Sequence, residues 1–186
     1  MRTAACLLTL AAMIPVVAFL AGCPDARRMT SQKVLLDGAH PPKEMFHVTI
    51  APDPLAKPTT PPAEVVKVLV GGPLGPSEPH ANKTTFIEPK GFFVMPASGK
   101  AELHFFVAMH ELLDLKIQVT ATAGASQKAS ATLAAADRWE EVVVALDPAK
   151  LKPGSVVNDI TIWQADSAKK ATKAAALYVR SVVLRF

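Results

Sequence analysis

Few side chains in this sequence are of types that do chemistry, and their spacing narrows the chemistry further. His104 and His110 are six residues apart, with Glu102 and Glu111 nearby. Zinc sites usually show tighter patterns such as His-Glu-x-x-His, and His40, His47 and His80 are scattered through proline-rich sequence. Glu102, Glu111, Glu140 and Glu141 lack the frame of two carboxylates facing each other across a cleft that glycoside hydrolysis needs. No Gly-x-Ser-x-Gly elbow for a serine nucleophile occurs. Gly71-Gly72-Pro73-Leu74-Gly75 puts proline where a phosphate loop needs N–H donors. Together these features argue against an enzyme. What remains is suited to holding a ligand: Trp163, Tyr178, Arg180, His104 and Phe106. Aromatic rings stack on the C–H face of a sugar, and a guanidinium forks to hydroxyls or a carboxylate.

The elements that must position these residues are strands. In Ala101–His110 the odd positions Leu103, Phe105, Val107 and Met109 are apolar, and Glu102, His104, Phe106 and His110 take the other parity. In Leu113–Thr120, Leu115, Ile117 and Val119 alternate with Lys116, Gln118 and Thr120. A period of two puts one face in a core and the other in solvent or a groove. Gly124-Ala125-Ser126 reads as a turn, and strands follow over Gln127–Leu133, Trp139–Leu146, Asp159–Gln164 and Leu177–Phe186. Trp139, at a strand start, is expected in the core. Short strands between turn signals, with no amphipathic helix, predict an antiparallel sandwich. Single helical turns are expected at most around 134–136 and 174–176.

Between Pro41 and Pro96 lie 12 prolines, which rule out long helices and interior strands there. Val34–Leu36, Phe46–Ile50 and Val65–Val70 read as short, edge-like strands between long loops. The formal net charge is +4, or +3 without Arg2, with no basic run longer than two residues. Nucleic-acid binding wants clustered basic residues with interleaved aromatics, so no nucleic-acid partner is expected.

The first 22 residues form a segment of their own. Arg2 precedes an apolar run from Ala4 to Leu20, closed by Leu20-Ala21-Gly22-Cys23. This resembles the lipobox signals of bacterial lipoproteins. The resemblance implies removal of residues 1–22 and a diacylglycerol on the Cys23 sulfur, anchoring the protein to a bacterial membrane in the cell envelope. The only other cysteine, Cys6, falls inside the signal, so no disulfide is expected. Residues 23–33 then read as a lipidated tether and 34–186 as one domain, with proline-rich loops over 41–96.

The second half is similar to the galactose-binding-like jelly rolls, which include many carbohydrate-binding modules. The resemblance rests on the Trp139-x-x-Val142-x-Val144-x-Leu146 strand and the closing Tyr178-x-Arg180-x-Val182-x-Leu184 strand. It implies a sandwich that binds glycans without catalysis. That family often carries Asp where Arg180 stands, within a structural calcium site or polar cluster. Arginine cannot ligate calcium, so only Asp37 is left to suggest one, and no cofactor is expected. If the ligand candidates share one sheet, they form a groove. If the proline-rich loops cover that face, Phe106 and Trp163 become a second core. The expected partner is accordingly an envelope glycan, or an envelope protein docked on the sandwich.

Overall fold

The computed structural model describes residues 31–46, 48–57, 63–70, 83–112, 114–164 and 175–186, so the signal-like segment and Cys23 lie outside it. Its strands are β1 (Gln32–Asp37), β2 (Glu44–Phe46), β3 (Val48–Pro52), β4 (Glu64–Val70), β5 (Lys83–Ile87), β6 (Phe93–Val94), β7 (Glu102–Met109), β8 (Asp114–Ala121), β9 (Ser126–Thr132), β10 (Glu140–Ala145), β11 (Val156–Gln164) and β12 (Ala175–Arg185). They form two antiparallel sheets. One runs β10-β7-β12-β4-β3, with β1 also on β12; the other runs β2-β5-β11-β8-β9, with β6 on β11. From β6 onward the chain crosses between the sheets repeatedly, as a jelly roll requires. The protein is an all-β sandwich, as the alternating strands predicted. No helix occurs among the described residues, and 134–136 form bends and turns.

The core lies between the sheets. Leu103, Phe105, Val107 and Met109 of β7 and Leu177, Val179, Val182 and Leu184 of β12 face Leu115, Ile117 and Val119 of β8, Ile160 and Ile162 of β11 and Phe86 of β5. Each such side chain contributes about 1.5–3 kcal/mol by leaving water. The inward parity of β12 is odd up to Val179 and even from Val182, because an irregularity between Val179 and Ser181 inserts Arg180. A bulge of this kind re-aims one side chain and bends the strand.

The N-terminal half departs from expectation in four places. Phe46–Ile50 is not one strand: β2 joins one sheet and β3 the other. β4 is interior, between β12 and β3, which its proline-free Val65–Val70 sequence permits. β5 is interior too and was not anticipated. β1 begins at Gln32, inside the stretch read as tether. β1 and β4 occupy the same side of β12 end to end, β4 on Ala175–Val179 and β1 on Ser181–Arg185. They meet where Gly38 lies against the Glu64–Val65 backbone so closely that a Cβ would stand 1.9 Å from the Glu64 carbonyl oxygen. Only glycine lets the backbones approach this far.

Candidate functional site

The five ligand candidates do not share a face. Tyr178, Arg180, His104 and Phe106 belong to the sheet containing β7 and β12, and Trp163 belongs to the other. A single groove holding all five therefore does not exist.

The outer face of the β7–β12 sheet is partly buried. His104, expected in solvent, is 4% exposed, and the outward Val65, Ala108 and Val183 are buried as well. Phe106 is half-buried there. His104 Nδ1 lies 2.7 Å from Glu141 Oε1 and Nε2 lies 3.1 Å from Glu102 Oε2. Arg185 Nη2 donates to the same Glu141 oxygen at 3.3 Å. His110 pairs instead with Asp137, and its ring meets Tyr178 edge-on at 5.5 Å between centroids. Lys67 Nζ sits 5.9 Å from the Tyr178 ring. The two histidines thus serve separate local pairs. No group of three or more His, Cys, Asp or Glu among the described residues could hold a metal ion. Asp37 spends a carboxylate oxygen on the His40 N–H.

Arg180 is committed to the fold. Its Nη2 donates to Asp53 Oδ2 at 2.8 Å, which ties the turn after β3 to the bulge of β12. Burial pushes the Asp53 carboxyl up. The Arg180 hydrogen bond, the Leu55 N–H, the Arg180 charge and the Trp139 indole more than reverse this, leaving it below its ordinary value. Trp139 is half-buried and lies outside the main core, under Arg180. Its Nε1–H is near enough to the carboxylate to favour the charged form. It falls short of hydrogen-bond geometry, and it is the one buried side-chain polar atom without a partner among the described residues.

The outer face of the β11–β8 sheet is different in kind. The polar set of β8 (Lys116, Gln118, Thr120) lies there beside Trp163, Thr161 and Asp159 of β11, with Ser126, Lys128 and Ser130 of β9 beyond. Trp163 is half-buried and pairs in register with Lys116 on one side and Lys83 on the other. Lys128 Nζ stands 6.0 Å from its ring centroid, and Lys116 Nζ donates to Ser130 Oγ at 2.9 Å. Gln118 Nε2 donates to Thr120 Oγ1 at 3.2 Å. Thr161 Oγ1 donates to Asp159 Oδ1 at 2.9 Å, so the 3.1 Å contact with Thr85 Oγ1 is donated by Thr85. Burial raises the Asp159 carboxyl against that hydrogen bond. A perturbed carboxyl on a polar sheet face is a feature of binding sites. The result is an aromatic platform ringed by hydroxyl, amide and ammonium groups, the inventory a sugar ring needs. Lys116, Lys128, Gln118 and Asp159 were missed as site residues. The alternation of β8 placed three of its side chains outward but could not say which neighbours they would meet.

No helix among the described residues is long and apolar enough to cross a membrane. No family model matches the sequence, and no curated protein matches it. Solved structures do resemble it. An exo-β-agarase aligns at 9% identity over 82% of this chain and 24% of its own, with a TM-score of 0.56. The agarase AgWH50C gives 10% identity, 83% and 24% coverage and a TM-score of 0.54. The C-terminal CBM6 of LamC, a marine laminarinase from Zobellia galactanivorans, gives 9% identity and a TM-score of 0.50, over 84% of this chain and 100% of that one. The chain thus spans about a quarter of the agarases it matches and the full length of the binding module. At these identities the likeness is one of fold: a β-sandwich of the kind found in carbohydrate-binding modules.

Proposed function

We propose that this chain is a lipid-anchored envelope protein whose sandwich binds a glycan without catalysing its cleavage. The observation that carries the reading is Trp163, a half-buried indole on a sheet face rich in Thr, Gln, Ser and Lys. A sugar stacks its C–H face on that ring while Gln118, Thr120 and Ser130 serve its hydroxyls. The match to a complete binding module supports the non-catalytic assignment. Anchoring rests on Leu20-Ala21-Gly22-Cys23, with Cys23 as the acylated residue. Retention of the full chain on a panel of immobilised polysaccharides tests the binding. Trp163→Ala is expected to weaken a positive interaction about tenfold or more, and unchanged retention rejects this face. Incorporation of labelled palmitate, lost in Cys23→Ala, tests the anchor.

A further inference from the structure

We infer that the ligand of the Trp163 face is an acidic polysaccharide, its ring on Trp163 and its carboxylate or sulfate groups on Lys128 and Lys116. This rests on the preceding reading of that face and goes further by naming the charge of the sugar. Five basic side chains elsewhere on the sandwich have an acidic partner: Arg180 with Asp53, Arg185 with Glu141, Arg138 with Glu140, Lys43 with Glu88 and Lys150 with Asp147. Lys116 and Lys128 have none, and they stand beside the indole. Among the described residues neither forms an ion pair, and Lys116 meets only the neutral Ser130 hydroxyl.

Asp159 and Asp114, on the same face, form no ion pair with either lysine. Asp159 is four residues from Trp163 along β11, about 13 Å in an extended strand, and its carboxylate accepts from Thr161. Asp114, two residues before Lys116 on the same face of β8, accepts from Thr132. Trp163 therefore lies beside two lysines that have no acidic partner among the described residues. Lys116 is beside it in register and the Lys128 ammonium is 6.0 Å from its ring centroid. A pyranose stacked on the indole projects its exocyclic groups past the rim of the ring, within reach of a Lys128 ammonium that swings off the ring face. A lysine on a flexible stem moves as a point charge to meet such an anion. Charge-assisted hydrogen bonds of this kind are shorter and stronger than those to hydroxyls. A purely structural role makes the opposite forecast. If Lys128 only caps the indole by cation–π attraction, removing it uncovers the ring and improves binding of neutral sugars.

The test uses the full chain in neutral detergent and polysaccharides in matched forms: several neutral polymers, each beside its carboxymethylated and its sulfated derivative. Duplex DNA serves as a polyanion without sugar stacking. The expected result is retention of at least one acidic form over its neutral parent, falling about tenfold or more in Lys128→Gln, less in Lys116→Gln, and weakening with salt. Trp163→Phe is expected to weaken it while preserving the melting temperature. The carboxymethyl and sulfate arms distinguish the two anion chemistries. Equal retention of neutral and acidic forms, indifferent to both lysine variants, overturns the inference and leaves glycan binding standing. Retention of DNA as strong as that of the acidic glycan overturns it as non-specific charge attraction. Binding to no polysaccharide of any form overturns the glycan reading and this inference with it.

Discussion

The guanidinium of Arg180 lies on the indole of Trp139, with Cζ 4.3 Å from the ring centroid, and reaches over it to Asp53. One bulged residue therefore joins the strand start before β10, the centre of β12 and the turn after β3. Sequence reasoning offered Arg180 to a ligand; the fold uses it on a carboxylate of its own.

Arg180→Ala is expected to cost about 1–2 kcal/mol, less than a buried charge pair because half of Arg180 faces water. Asp53 is 8% exposed and loses its charged donor. Since the folded Asp53 pKa is depressed, its contribution is complete above the ordinary value of 3.8 and is lost as pH falls through the folded value. The gap between the urea midpoints of the two proteins is expected to narrow on acidification, leaving the part that Arg180 contributes by packing on Trp139, and a gap that does not narrow contradicts this account.

Asp159 has the opposite sign. Its raised pKa makes the folded state most favourable with the carboxyl protonated, so stability falls as pH rises from its ordinary value of 3.8 through the folded one. Asp159→Asn keeps an acceptor for Thr161 and removes the charge. It is expected to melt higher than the parent at neutral pH and equally at pH 3.

Gly38→Ala sets a methyl group against the Glu64 peptide, which is backbone and cannot turn aside. A loss of about 1–3 kcal/mol is expected, read as a lower urea midpoint. Gly124→Ala serves as the comparison, because a Cβ there meets nothing within 4 Å and the cost is only that of its positive φ.

The two faces are separable. Tyr178→Ala and Phe106→Ala lie on the sheet opposite Trp163 and are expected to leave polysaccharide retention unchanged, within twofold by titration. Loss of retention in either, with melting preserved, moves the site to the β7–β12 face.

The fold was legible where one face of a strand is wet. In β8, Leu115, Ile117, Val119 and Ala121 are buried and the residues between them are exposed or half-buried, as a period of two requires. In β7 the reading of the outer face failed, because His104 and Ala108 are buried there by neighbours that no local pattern encodes. Satisfaction of His104 by Glu102 was local, two residues away; that by Glu141 depended on β10 pairing beside β7. Parity assigned Trp163 correctly to an outward side but is silent on which sheet a strand joins. The same silence merged β2 with β3, since a strand that changes sheets keeps its alternation.

Ser31 and Phe186 exchange a pair of backbone hydrogen bonds, 3.1 and 3.0 Å long, so the chain enters and leaves the sandwich at one corner. Tension on the segment before Ser31 consequently loads β1 lengthwise against β12. Its five residue pairs resist in shear, sharing the load and rupturing together, where a peeled strand would give way one bond at a time.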